Sequence, residues 1–141
     1  MVIVDASVVF KWLVEEKPQH QIIAARKIRD SFLNGNQEIL APDILMYEIA
    51  NTFAFKTKLR EKDLKKGWYD FIRINVPLIT PDFNLISKSI YFAEKYKTSV
   101  YDATYAILAL EKNCDLITAD EKFVKQVKLP FVKSLNNYSE V

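Results

Sequence analysis

The sequence predicts an α/β fold, a three-layer α/β/α domain with a central parallel sheet of about five strands. Short apolar or β-branched runs alternate with amphipathic stretches of helical period along the whole chain, which is the pattern of right-handed β-α-β crossovers. The composition, 50% hydrophobic, 27% charged and 13% aromatic, lies far from the regime of disordered chains. At 141 residues, one domain covering 1–141 buries roughly two thirds of its unfolded surface. Apolar strands covered on both faces belong to parallel sheets.

The elements follow in order. Val2-Ile3-Val4 is a β-branched strand, and a helical stretch follows over about Ser7 to Val14. Pro18 opens a second helix with Ile22, Ile23, Ala25, Ile28 and Phe32 on its apolar face, ended by Asn34-Gly35-Asn36. Glu38 to Ala41 reads as the second strand. Pro42-Asp43 starts a helix through about Lys58, and a charged helix covers Glu61 to Ile74. Pro77 to Thr80 is the third strand, with helices from Pro81-Asp82 to about Tyr96 and from Val100 to Lys112. Asp115 to Thr118 is the fourth strand, Glu121 to Lys128 a helix, and Phe131 to Ser134 the last strand.

Several chemistries are excluded by composition. Two glycines cannot build a phosphate-cradling glycine loop. One histidine, His20, leaves no histidine-rich metal site and no Ser-His triad. The single Cys114 has no partner for an internal disulfide, which fits a reducing cytosol. The charge-free stretches reach only 8 residues, as from Ala103 to Leu110, well short of the roughly 18 a membrane span needs. Asp5 interrupts the apolar start, so the N-terminus is not read as a signal peptide.

The remaining chemistry lies in carboxylates, hydroxyls or lysines. In doubly wound sheets, ligands bind beyond the carboxyl ends of the strands, and acids stand there: Asp5 after strand one, Asp43 after two, Asp82 after three and Asp120 after four. Asp102 opens the helix that feeds strand four. Each doubles as a helix cap, and Ser99 to Asp102 has capping-box spacing. Glu48 is different, because its neighbours at helical spacing begin apolar with Ile44 and Leu45. A carboxylate there costs several kcal/mol unless it is paired or metal-bound.

Asp5, Glu48, Asp102 and Asp120 therefore converge, on this reading, at one cleft. Two carboxylates about 4 Å apart repel by roughly 4 kcal/mol at an effective dielectric near 20. Protons or divalent cations must offset that. An all-oxygen donor set points to Mg²⁺ or Mn²⁺, ions that hold phosphates and assist phosphodiester hydrolysis.

Four stretches, Val4-Asp5-Ala6-Ser7, Glu48-Ile49-Ala50-Asn51, Tyr101-Asp102-Ala103 and Thr118-Ala119-Asp120, resemble the four acidic motifs of PIN-domain nucleases, in order and over nearly the whole chain. Within that family the sequence is most similar to the single-domain VapC-type toxins of toxin–antitoxin pairs. The resemblance implies a sheet order of 3-2-1-4-5, with Asp5, Glu48, Asp102 and Asp120 as catalytic metal-site carboxylates. It implies Ser7 and Thr118 as supporting hydroxyls, and leaves Asp43 and Asp82 as caps. The implied activity is Mg²⁺- or Mn²⁺-assisted hydrolysis of RNA, leaving a 5′-phosphate and a 3′-hydroxyl. The implied partner is a cognate antitoxin.

Lys11, one turn beyond Ser7, is the candidate for substrate phosphate. The run Lys56, Lys58, Arg60, Lys62, Lys65, Lys66 is a further basic surface, although such runs are usually solvated helix faces. The aromatics Trp12, Trp68 and Tyr69 are expected in the core or at an interface. A helical layer rich in Phe53, Phe55, Trp68, Tyr69 and Phe71 suggests a homodimer. Two alternatives compete: a PIN domain used for RNA processing or binding, and a receiver-like phosphoacceptor domain. The second lacks an acidic pair after strand one and would need Asp82, behind Pro81, as its acceptor.

Overall fold

A computed structural model describes residues 1–15, 17–55 and 58–138 of the chain. Strand β1 (Val2–Val4) is followed by α1 (Ala6–Leu13) and α2 (Gln19–Leu33), then β2 (Ile39–Pro42), α3 (Ile44–Phe55) and α4 (Glu61–Ile74). The chain continues through β3 (Leu78–Ile79), α5 (Phe83–Tyr96), α6 (Val100–Glu111), β4 (Asp115–Thr118), α7 (Glu121–Val127) and β5 (Val132–Ser134). All strand pairs are parallel, in the order β3-β2-β1-β4-β5. Seven helices flank this sheet among the described residues. The expected α/β architecture and sheet order are therefore observed.

β1 is central because nothing in it needs water. Ile3 and Val4 are fully buried, and each such side chain contributes about 1.5–3 kcal/mol by leaving water. Its register with β4 pairs Val4 with Ile117, which brings the residues after both strands side by side. Helix α6 is buried from Ala103 to Ala109 and packs on β1, β2 and β4, with α5 beside it. Helix α1 contacts α2, α3 and α4.

Boundaries follow local chemistry. Helix α4 begins with acids in its first turn, Glu61 and Asp63, and stops where Asn75 adopts the left-handed conformation (φ 55°). β3, expected over Pro77 to Thr80, is only two residues long. It is the edge strand and is partly exposed, so little burial holds its ends.

The described part of the basic run is solvated, with Lys62, Lys65 and Lys66 on α4 and Lys58 and Arg60 just before it. Arg60 pairs with Asp63, Lys65 with Glu61, and Lys66 with Asp70, the basic side chain of each pair being largely exposed; Lys56 lies outside the described residues. The aromatic layer divides. Phe53 and Phe71 are buried in the core, whereas Phe55 and Tyr69 are exposed. Trp12 is buried, and Trp68 packs beside Phe71 with ring centroids 5.5 Å apart.

Candidate active site

The strand order reverses direction at β1 and β4: β2 and β3 lie to one side, β5 to the other. That is where a doubly wound sheet opens a crevice. A cleft of about 920 Å³ opens there, lined by Asp5, Glu48, Asp102 and Asp120 together with Ser7 and Lys11. Four acids from separate parts of the chain thus face one space.

Asp5 leaves β1 as the N-cap of α1. Its Oδ1 accepts from the Val8 N–H at 3.2 Å and from the Ser7 hydroxyl at 2.5 Å. Ser7 Oγ in turn accepts from the Ala119 N–H at 2.9 Å and lies 3.4 Å from Thr118 Oγ1. Thr118 Oγ1 accepts from the Asp120 N–H at 3.0 Å. The two hydroxyls therefore lace the end of β1 to the end of β4. Asp120 caps α7, its Oδ1 accepting from the Phe123 N–H at 3.0 Å. The cap reading and the cleft reading hold together for both acids, since each caps its helix while lining the cleft.

Asp102 sits on the first turn of α6. Ser99 is the N-cap, accepting from the Asp102 N–H at 3.0 Å, and the Asp102 carboxylate accepts from the Thr98 hydroxyl at 3.4 Å. Glu48, on the middle of α3, accepts from the Tyr105 hydroxyl at 2.6 Å.

The electrostatics report crowding. Burial pushes the Asp5 carboxyl up to about 6, with Asp102 adding repulsion, although hydrogen bonds from Ser7, Thr118 and Val8 pull the other way. Asp102 is raised by burial and then by Asp120, against the lowering hydrogen bonds of Ser99 and Thr98. Tyr105 is held protonated by burial and by the charges of Glu48, Asp5 and Asp102. Asp102 thus repels Asp5 and is itself repelled by Asp120, and a cation among them would relieve that repulsion.

Asp43 and Asp82 stand apart, and neither lines the cleft. Asp82 caps α5, accepting from the Leu85 N–H at 2.8 Å. Asp43 accepts from the Thr80 hydroxyl at 2.8 Å, which ties β2 to β3. His20 is exposed and bonds Asn136 at 2.9 Å.

Sequence reading missed Tyr105 and Thr98. Tyr105 had one available signal, its position three residues after Asp102 on the same helix, which places the two on one face. Its 1% exposure is instead what an apolar helix suggests for a core aromatic.

The donor chemistry fits a hard divalent cation. Every cleft acid supplies oxygen, and the Asp5 and Asp102 carboxyls are raised by burial and by neighbouring carboxylates. Among the described residues no three acids, histidines or cysteines close into a ready-made ion cage. The acids ring a cleft instead, which suits an ion that keeps several of its waters.

A model of the PIN domain matches residues 2–129. The chain belongs to the PIN domain family. PIN domains are generally metal-dependent nucleases acting on nucleic acids. The crystal structure of PAE2754 from Pyrobaculum aerophilum is similar to this PIN domain, with a TM-score of 0.68 at 18% identity. The match covers 95% of this chain and 88% of that one, and it is a likeness of fold. No curated protein matches the chain. Family and sheet order together overturn the receiver alternative. A receiver places β3 beside β1 in the order 2-1-3-4-5, whereas here β3 is an edge strand and Asp82 caps a helix away from the cleft. No described helix is long and apolar enough to cross a membrane.

Proposed function

We propose that this PIN domain is an Mg²⁺- or Mn²⁺-dependent endoribonuclease, the toxin of a VapBC-type pair, acting in the cytoplasm under control of a cognate antitoxin. The observation that carries the reading is the meeting of Asp5, Glu48, Asp102 and Asp120 in one cleft at the reversal of the sheet. Asp5 and Asp102, the two acids whose carboxyls burial raises, would be the main ligands, with Glu48 and Asp120 completing the set or holding waters. A divalent cation, when bound, supplies a nucleophilic water at neutral pH and offsets charge on the leaving oxygen. Ser7 and Thr118 fix Asp5 and the start of the Asp120 turn. Lys11, buried at the cleft wall, would meet a substrate phosphate.

An antitoxin would inhibit by laying a segment across the cleft, with an Arg or Lys competing for the acids. Two copies would associate as a homodimer through exposed apolar side chains such as Phe55 and Tyr69. Light scattering should then give twice the 16.4 kDa of one chain, and the monomer mass would dispose of the dimer.

The functional test is induced expression of wild type beside Asp5→Asn, Glu48→Gln and Asp102→Asn. Growth arrest with RNA cleavage by wild type alone, rescued by the neighbouring gene, supports the reading. Equal toxicity of the acid variants would place the harm elsewhere. A harmless wild type that cuts one defined precursor RNA would favour a processing nuclease.

A further inference from the structure

Two tyrosines flank the acids in a way that capping and packing do not explain. Tyr47 immediately precedes Glu48 on α3, and Tyr101 immediately precedes Asp102 on α6. Successive residues on a helix differ by about 100° in direction, so one residue can face inward while its neighbour stands at the rim. Glu48 bonds the buried Tyr105 hydroxyl, and Asp102 is half-buried. Tyr47 and Tyr101 line the same cleft yet remain 69% and 59% exposed. Large aromatic faces left in water beside an acidic centre have apolar surface still to cover.

We propose that Tyr47 and Tyr101 are base-stacking residues that bind unpaired nucleobases next to the phosphate held at the acids. This deepens the nuclease reading and rests on it. A nucleotide whose phosphate is drawn to the cleft acids through a cation carries its base outward, toward the rim where these rings stand. Stacking on an aromatic face requires that the base be free of its duplex neighbours. It strengthens binding by about tenfold per base with little sequence preference. Base-paired RNA keeps its bases stacked inside the helix and offers them to neither ring. The +2 net charge of the chain gives little general attraction for phosphates, so stacking would supply a substantial share of the affinity.

The test is fluorescence anisotropy of a labelled eight-nucleotide single-stranded RNA and of a blunt hairpin, in millimolar Ca²⁺. Wild type is compared with Tyr47→Ala, Tyr101→Ala, Tyr47→Phe, Tyr101→Phe and Tyr91→Ala. Tyr91 is 75% exposed on α5 and lies outside the cleft, so it controls for loss of any surface ring. The expected result is about tenfold weaker single-strand binding for each cleft Ala variant. Binding by the Phe and Tyr91 variants should stay within about twofold, and the hairpin should bind weakly throughout. In cleavage assays the cleft Ala variants should raise KM more than they lower kcat. Wild-type affinity in both cleft Ala variants, hairpin binding as tight as the single strand, or no single-strand binding by wild type would overturn the proposal. Absence of cleavage by wild type, with ring-dependent binding intact, would instead sink the nuclease reading and leave the stacking site standing.

Discussion

The Tyr105 hydroxyl donates to Glu48 Oε2 at 2.6 Å, joining α6 to α3 across 57 residues of sequence. This contact explains how a carboxylate on an apolar helix face is tolerated. One donor is a phenol from another helix, and burial, with the cleft charges, keeps that phenol protonated. Tyr105 thereby aims Glu48 at the cleft. Tyr105→Phe should lower stability by about 1 kcal/mol, since a partly buried carboxylate loses one charge-assisted hydrogen bond. Denaturant melts check this, and unchanged stability would show that Glu48 is already solvated there.

Asp5 should make the metal-free protein less stable as pH rises. The folded chain holds the Asp5 proton up to about 6, whereas the unfolded chain releases it near 3.8. The stabilisation is complete below 3.8 and is lost as pH rises through 6. Asp5→Asn removes the titration. The unfolding free energy of wild type minus that of Asp5→Asn should fall by about 2 kcal/mol between pH 4 and pH 7 in chelator. A difference that stays flat or rises would contradict the burial of this carboxyl.

Asp43→Asn and Asp82→Asn should retain full nuclease activity, because Asn caps and accepts hydrogen bonds as Asp does and neither side chain lines the cleft. Asp82→Ala should cost about 1 kcal/mol through loss of its bond to the Leu85 N–H. RNA cleavage abolished by either Asn variant would mean the site extends beyond the cleft acids.

Gly67→Ala tests the packing of α4 on α3. Alanine favours a helix by about 1 kcal/mol over glycine, but a Cβ at position 67 would stand 2.6 Å from Phe53 Cζ. The Phe53 ring is pinned against Phe10, with centroids 5.1 Å apart. The clash should win, for a net loss of about 1 kcal/mol or more. A higher melting temperature would mean that the ring yields.

How far the molecule could be read from its sequence depended on the kind of signal. Helix α4 and strand β4 fall where the sequence places them, because charged first turns and short β-branched runs are local signals. Asp5 and Asp120 were legible because a parallel strand end is a ligand position whatever follows it, and Glu48 because an acid on an apolar face needs a reason. Tyr105 was not, because its bond to Glu48 joins two helices far apart in the chain, a pairing that spacing along one helix does not reveal. The exposure of Tyr47 and Tyr101 was equally hidden, since rim and core aromatics look alike in one dimension. The boundaries of β3 failed for want of burial at a sheet edge.

The central claim is that Asp5, Glu48, Asp102 and Asp120 form one metal-dependent site, and thermal melting with and without millimolar Mn²⁺ tests it most directly. Ligand binding to the folded state raises the melting temperature by mass action, and cleft acids that repel one another should respond strongly. The account predicts a clear rise for wild type and none for Asp5→Asn or Asp102→Asn, with both variants folded and at least as stable as wild type in chelator. A wild-type melting temperature indifferent to the metal, or a rise of equal size in the acid variants, would contradict it.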